Sequence, residues 1–515
     1  MFAERKPNYC EIHYNLKMLK KLAENAIMKR NVSDYNRRRA DEKNEWNELM
    51  SYKRTEITAE QILEQMKICE EIKSREAGTH YAMVDTFGCQ QNEEDSEKLR
   101  GYLAAMGYEL TMDEHLAEII VLNTCAVREH AEQRVFGNLG GLTHTKKENP
   151  NQIIAVCGCM VKQEQVVEKI KKSYPLVSLV FGPDELWRFP ELLRAVMSGK
   201  KRVYVPGEGD GCVAEGVPHK RDDSVKAWLS VMNGCNNFCS YCIVPYTRGR
   251  ERSRRAENIV AEARELVNAG YKEIMLLGQN VNSYGRDLED GVSFAELIRR
   301  INAIDGDFII RFMTSHPKDA TEELFSSMAD CDKCEKHLHL PLQSGSDRIL
   351  KQMNRRYDAE KYIAQVESVR RYIPDIVLTT DIIVGFPGET DEDFAQTLAL
   401  SERVRFDAMF TFIYSKRTGT PAAEMPDPFT REQKQAHFDA LLALQNRISE
   451  EKHREYVGKT LRVLIDGRDK EEGILTSRTS GGRLVRVLGE ESLIGSFAEV
   501  KIEDCNTWAL RGALL

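Results

Sequence analysis

No run of apolar residues in this 515-residue chain approaches the roughly 18 that a membrane-crossing helix needs, so no membrane span is expected. The first residues include Glu4, Arg5 and Lys6 with no apolar stretch behind them, and no secretory leader is expected either. An excess of positive charge is also missing. With a net charge of −8 and a pI of about 5.9, any contact with nucleic acid has to come from local basic patches. Cysteine is too sparse for a disulfide scaffold at 13 residues, and an odd count cannot pair completely. Reduced thiols fit a cytoplasmic protein, and a mean hydropathy of −0.47 fits a soluble one.

The cysteines that are present are unevenly placed. The stretch G-C-N-N-F-C-S-Y-C-I-V-P-Y-T-R-G-R-E-R-S-R-R, residues 234–255, holds Cys235, Cys239 and Cys242 in a C-x3-C-x2-C spacing. Chance would produce that spacing roughly 0.008 times in a chain of this composition. Three thiolates so close in sequence can hold three corners of a 4Fe–4S cube and leave the fourth iron open to a substrate. A structural zinc site is the competing reading. It wants four closed ligands, whereas His219 lies far upstream and no further His or Cys follows nearby.

Residues 1–76 read as a charged helical extension with a short basic run at Arg37, Arg38 and Arg39, interleaved with acidic residues. From residue 77 to 196 the pattern changes to strand-like runs at 81–87, 119–123, 153–156 and 177–181, separated by amphipathic helical stretches. Such alternation predicts βαβ units and a parallel sheet, an α/β domain. A cysteine follows each of the first three runs: Cys89, Cys125 and Cys159. Carboxyl ends of parallel strands share one edge of the sheet, where ligands bind. The three thiols are therefore expected to converge on a second cluster, although each alone reads as a buried structural cysteine. Cys157 competes with Cys159; the position at the strand mouth favours Cys159. Residues 197–224 are rich in Gly, Pro and charge and read as a linker in which Cys212 is a bystander.

A second alternation spans 225–453, with strand-like runs at 228–232, 273–277, 308–313, 337–340, 376–384 and 408–413. Six βα units predict a partial (β/α)6 barrel whose functional groups gather at the carboxyl ends of its strands. Those ends carry the cluster loop, Gly278-Gln279-Asn280, Ser315-His316-Pro317, Gln343-Ser344-Gly345 and the loop 385–389. Arg248, Arg250, Arg252, Arg254 and Arg255 follow the cluster loop and are placed to hold RNA phosphates, a salt-bridged barrel surface being the alternative. Residues 454–515 show short strand-like runs with Gly turns, which predicts a small β-barrel. There Lys459, Arg462, Arg478, Arg483 and Arg486 are candidates for phosphate contacts or, equally, parts of a solvated surface.

With Tyr241 just before the last cysteine, the C-x3-C-x2-C loop resembles the signature of the radical S-adenosylmethionine (SAM) enzymes. Together with the three-cysteine α/β domain and the terminal barrel, residues 81–515 resemble the methylthiotransferases of that superfamily. D-T-F-G-C-Q-Q-N-E-E-D-S-E around Cys89, L-P-L-Q-S-G-S-D-R-I-L-K-Q-M at 340–353 and D-I-I-V-G-F-P-G-E-T at 381–390 are similar to the branch acting on N6-dimethylallyladenosine in tRNA. Gln91 stands where that family usually has Met, and Gly278-Gln279-Asn280 where radical SAM enzymes commonly have Gly-Gly-Glu. The resemblance implies two 4Fe–4S clusters, one on Cys235, Cys239 and Cys242 that cleaves SAM to a radical, and an auxiliary one on Cys89, Cys125 and Cys159 that carries sulfur. It also implies SAM contacts from Gly278, Gln279, Ser315 and Gln343, and an RNA-binding terminal barrel of the type called TRAM. The partners it implies are a tRNA anticodon loop and a flavodoxin- or ferredoxin-like electron donor, with the enzyme a monomer. The implied reaction is methylthiolation of C2 of dimethylallyladenosine 37. Threonylcarbamoyladenosine in tRNA and a ribosomal-protein aspartate are the alternative targets, and a non-catalytic iron–sulfur RNA-binding protein is the alternative of another class.

Overall fold

Alternate apolar residues bury both faces of the first sheet. The computed structural model describes residues 55–75, 78–127, 129–207 and 211–515, of which Glu56–Leu515 form one compact unit. The expected extension up to residue 54, with its basic run, lies outside the described residues. Strands β1 (His80–Phe87), β2 (Tyr108–Leu110), β3 (Ile119–Thr124), β4 (Ile153–Gly158), β5 (Val177–Phe181) and β6 (Val203–Val205) form a six-stranded sheet in the order β2-β1-β3-β4-β5-β6. Every pairing in it is parallel. Val84, Val121, Ala155 and Leu179 face one layer of helices with Leu99 and Leu103. Ile120, Leu122, Ile154 and Val180 face the other with Val135 and Leu139. The middle strand β3 is buried along its whole length, as a parallel strand covered on both sides must be.

Two boundaries differ from the expected ones. The helix Ala59–Lys73, capped by the Thr58 side chain, buries Ile62, Ile68, Cys69 and Ile72 in the same core as Leu99 and Leu103. It is thus part of the first domain and not of an extension. The segment read as a linker is a fastened strap. It supplies β6, buries Val213 and Val217, and pairs Arg221 with Glu97 at 2.7 Å and Glu262 at 3.0 Å. Gly199, Gly207, Gly211 and Gly216 take positive φ there.

The second domain holds β7 (Lys226–Ser230), β8 (Glu273–Leu277) and β9 (Ile309–Phe312), in the order β9-β8-β7, and β10 (His337–His339), β11 (Val377–Val384) and β12 (Ala408–Ile413), in the order β10-β11-β12. All four pairings are parallel, and a parallel bridge between Ile310 and Cys334 sets β9 beside the segment that leads into β10. This is the expected partial (β/α)6 barrel. Ala227, Leu229, Ile274, Leu276, Ile310 and Leu338 point outward under the helices. Arg311, on the opposite face of β9, lies 2.7 Å from both Glu273 and Glu335, and all three are buried.

After the 24-residue helix Arg431–Arg454, β13 (Thr460–Arg468), β14 (Ile474–Thr479), β15 (Leu484–Leu488), β16 (Phe497–Cys505) and β17 (Leu510–Leu514) close a barrel in the order β13-β14-β15-β17-β16. It sits on the amino ends of the core strands: Leu464 packs with Val225 and Ile309, and Arg311 Nη2 donates to the Thr479 carbonyl at 3.1 Å. Arg483 is buried there in an ion pair with Asp407, so it is neither the candidate phosphate contact nor the solvated surface group that the sequence allows. Arg462, Arg478 and Arg486 pair with Asp307, Asp466 and Asp469 at 2.6, 3.2 and 2.9 Å. The barrel face is one of mixed charge.

Candidate active site

Three thiols meet at the carboxyl edge of the first sheet because three parallel strands end there. Cys89 caps the helix Gln90–Ala105 after β1, Cys125 follows β3, and Cys159 opens the 3-10 turn Cys159–Lys162 after β4. A hydrogen bond from the Cys125 thiol draws Cys89 down to about 5 against the opposing effect of burial, with Arg248 adding to the pull. Cys125 moves up correspondingly, through that bond and through burial. Burial pushes Cys159 up to about 11, opposed by Arg248, whose Nε donates to the sulfur at 2.9 Å while Nη2 reaches Asp95 at 2.7 Å. Beneath them Asn92 Nδ2 donates to Asn123 Oδ1 at 3.1 Å and to the Thr124 carbonyl at 3.2 Å, which ties the ends of β1 and β3 together.

Gly158 separates the two neighbouring cysteines. Its φ of +95° turns the chain, and a Cβ there would lie 2.4 Å from the Thr124 carbonyl oxygen. Only glycine suits both demands. Upstream of the turn, Cys157 faces the apolar layer with Leu179 and Phe181; downstream, Cys159 packs with Ala126 and Ile243.

The second triad lies on one loop clamped by its neighbours. Cys235 N–H donates to the Gly249 carbonyl at 3.1 Å and Cys242 N–H to that of Cys239 at 2.9 Å. Ser240 Oγ donates to the Gln352 carbonyl and Asn354 Nδ2 to that of Phe238, both at 2.8 Å. Gly234 has a φ of +81°, and a Cβ on it would come within 1.9 Å of the Arg250 carbonyl oxygen. Burial pushes Cys242 up to about 12, with repulsion from Cys239 adding to it, and Cys235 rises for the same kinds of reason. Arg355 Nη1 lies 3.4 Å from Cys239 Sγ, and its other nitrogens are held by Tyr357 Oη at 2.9 Å and the Pro341 carbonyl at 2.8 Å.

Among the described residues, no group of three or more His, Cys, Asp and Glu side chains closes on a single metal ion. Each of the two sets of three thiols has a guanidinium beside it, Arg248 at Cys159 and Arg355 at Cys239. The two sets adjoin: Ile243, next to Cys242, packs on Ala126, next to Cys125, and on Cys159. Arg248, on the chain leaving the second loop, reaches the first set.

That placement corrects the reading of the arginine run. Arg248, Arg252 and Arg254 are buried or nearly so. Arg252 lies 3.6 Å from Asp184, and Arg254 pairs with Glu215 at 2.6 Å and Glu262 at 2.8 Å. They bind the two domains together and are not available to phosphate. Arg250 stacks over Phe238 at 4.4 Å, and Arg255 remains mostly exposed beside Glu56.

The expected SAM contacts fare unevenly. Gln279 Oε1 accepts from Gly234 N–H, and its Nε2 donates to Gln91 Oε1 at 3.4 Å. Ser315 Oγ donates to the His339 carbonyl. These side chains are committed to the fold, while Gly278 and Gln343, the latter at a φ of +72°, line the same edge. Next to them the structure leaves three buried polar atoms with no protein partner: Asn237 Oδ1, Asn280 Oδ1 and His316 Nε2. Burial drives the His316 imidazole well below its usual range, so it stays neutral. His316 Nδ1 accepts from the Lys318 N–H at 3.2 Å, so the neutral ring carries its hydrogen on Nε2 as a donor, while the two amide oxygens are acceptors. Unpaired buried polar atoms are costly in a folded protein, and a polar cofactor such as SAM, with both donors and acceptors, fits them. Asn280 and His316 each sit next to an expected SAM contact, and Asn237 lies in the cluster loop midway between Cys235 and Cys239.

Residues 229–401 match the Radical SAM superfamily, residues 81–182 the Uncharacterized protein family UPF0004, and residues 454–515 the TRAM domain. The chain is 51% identical over 461 residues to the tRNA-2-methylthio-N(6)-dimethylallyladenosine synthase of Thermoanaerobacter sp. (strain X514), covering 89% of this chain and 98% of that protein. It is also 51% identical over 467 residues to the protein of the same name from Acetivibrio thermocellus, covering 89% and 97%. In fold it is similar to the radical S-adenosylmethionine methyltransferase TsrM from Kitasatospora setae, with a TM-score of 0.51 at 15% identity over 67% of this chain and 75% of that one.

Proposed function

The chain belongs to the tRNA-2-methylthio-N(6)-dimethylallyladenosine synthase family, and on that premise we propose that it replaces the C2–H bond of N6-dimethylallyladenosine 37 in tRNA with C2–S–CH3. A radical SAM domain brings with it a 4Fe–4S cluster and SAM, which Cys235, Cys239 and Cys242 would hold. A second 4Fe–4S cluster on Cys89, Cys125 and Cys159, a flavodoxin- or ferredoxin-like electron donor and a cytoplasmic monomer complete the reading. The observation that carries it is the contact of Ile243 with Ala126 and Cys159, which sets the two triads side by side.

The C2 carbon of adenine is neither acidic nor electrophilic enough for acid–base chemistry, so the hard step falls to the cofactors. When bound, they supply an adenosyl radical that takes the C2 hydrogen, a sulfur, and the methyl group of a second SAM. The protein supplies placement and charge. Arg248 and Arg355 put fixed positive charge against Cys159 and Cys239 and favour the thiolates that ligate iron. Asn237 and Asn280 would offer acceptor oxygens, and His316 the N–H of Nε2, to the polar groups of SAM.

Anaerobically reconstituted enzyme, reduced and given SAM, is expected to convert tRNA carrying N6-dimethylallyladenosine 37 to its 2-methylthio derivative, read by mass spectrometry of the nucleosides. Unmodified tRNA is expected to stay nearly untouched. Turnover of threonylcarbamoyl-modified tRNA at an equal rate, or modification of a ribosomal protein instead, overturns the target.

A further inference from the structure

Strand β12 exposes two large aromatics where a half-buried strand ordinarily shows polar side chains. Phe410 and Phe412 are 45% and 53% exposed. Their neighbours Met409 and Ile413 point the other way, into the core, so the two phenylalanines lie on the inner face of the open barrel. In register beside them on β11 stand Asp381 and Ile383. The His339 ring lies 5.8 Å from Phe410, and its Nε2 is 3.5 Å from an Asp381 carboxylate that is 29% exposed.

This face opens at the cysteine edge. Ile383 and Tyr414 pack with Tyr241 of the C-x3-C-x2-C loop around Phe386 and Met353. From the loop after β12, Arg417 Nη2 donates to the carbonyl of Val127, two residues past Cys125, at 2.7 Å. The exposed aromatic pair thus lies on a strand face whose end is tied to the loops of both triads.

We infer that Phe410 and Phe412 form the apolar seat for the five-carbon N6 substituent of the target adenosine, with Asp381 accepting the remaining N6–H. The inference rests on the function proposed above and names the residues that choose its substrate. On the adenine ring C2 and C6 are separated by N1 alone, so a seat that holds the N6 chain presents C2 to the neighbouring clusters. Burial of such a chain is worth about 30- to 100-fold in binding. Asp381 adds rejection: a threonylcarbamoyl group carries a carboxylate, which would meet a like charge in a partly desolvated site.

The test uses the full-length reconstituted enzyme and fluorescent anticodon stem-loops with dimethylallyladenosine or plain adenosine at position 37. Wild type is expected to bind the modified stem-loop about 30- to 100-fold more tightly. The double substitution Phe410→Ala and Phe412→Ala is expected to shrink that ratio to within about 3-fold while affinity for the plain stem-loop holds. The volume-conserving pair Phe410→Leu and Phe412→Leu is expected to keep most of it, which separates loss of the seat from loss of the fold. Undiminished discrimination in the alanine variant, or none in wild type, overturns the inference. Methylthiolation by wild type is scored separately, so failure of the reaction itself is told apart from failure of this seat.

Discussion

Cys157 and Cys159 stand two residues apart and end in different surroundings. The Cys157 thiol is walled in by Leu179 and Phe181, and burial holds it well above its usual range, so it behaves as a small apolar side chain. Cys159 has Arg248 at 2.9 Å. Replacing Cys157 by Ala is therefore expected to cost about 1 kcal/mol of stability and leave iron content and methylthiolation intact. Replacing Cys159 by Ala is expected to remove about half of the roughly eight irons of two cubes and abolish turnover. Iron and sulfide assays after anaerobic reconstitution decide it, and the reverse pattern would transfer the ligand role to Cys157. The sequence supports this choice through position in the strand. It offers no sign that Arg248, one of five similar arginines, turns to a cysteine while Arg255 stays in solvent.

Among the elements, the tightest constraint lies where β4 becomes a 3-10 turn. Gly158 combines a φ of +95° with a Thr124 carbonyl 2.4 Å from any added Cβ, so alanine must both strain the backbone and push β3 away. Gly158→Ala is expected to lower stability by about 2–4 kcal/mol. Gly140 lies in the helix Glu129–Gly141 with nothing within 4 Å of an added Cβ. Gly140→Ala there is expected to be neutral or stabilising by up to about 1 kcal/mol. Denaturant melts of the two variants under one condition separate the effects, and equal stability of both would refute the strain argument. Strand and helix order was legible because apolar periodicity reports which face is buried. The strap at 197–224 carries no such signal: ion pairs such as Arg221 with Glu97 and the pairing of β6 join it to distant residues and leave no periodic trace.

In the whole molecule the terminal barrel is fastened to the core at the end away from the cysteines. The Arg483–Asp407 pair is buried there, and Asp407 is also held by Lys452 at 2.9 Å. Removing one member of such a set leaves the other's charge buried, so Arg483→Leu is expected to cost about 3–5 kcal/mol. The exposed Arg462–Asp307 pair belongs to the same seam, yet Arg462→Ala is expected to change stability by no more than about 1 kcal/mol. Chemical denaturation of both variants tests the contrast, and equal losses would count against it. Sequence by itself determined the three-part architecture, the C-x3-C-x2-C loop and the family, because spacing, periodicity and motif are local properties of the chain. Tertiary structure alone decided which arginines face thiols, carboxylates or solvent, which polar atoms lie unpaired beside the cluster loop, and that Phe410 and Phe412 look into the barrel. Those outcomes depend on which distant segments close around a side chain, and burial sets the strength of each charge and hydrogen bond only once they have closed.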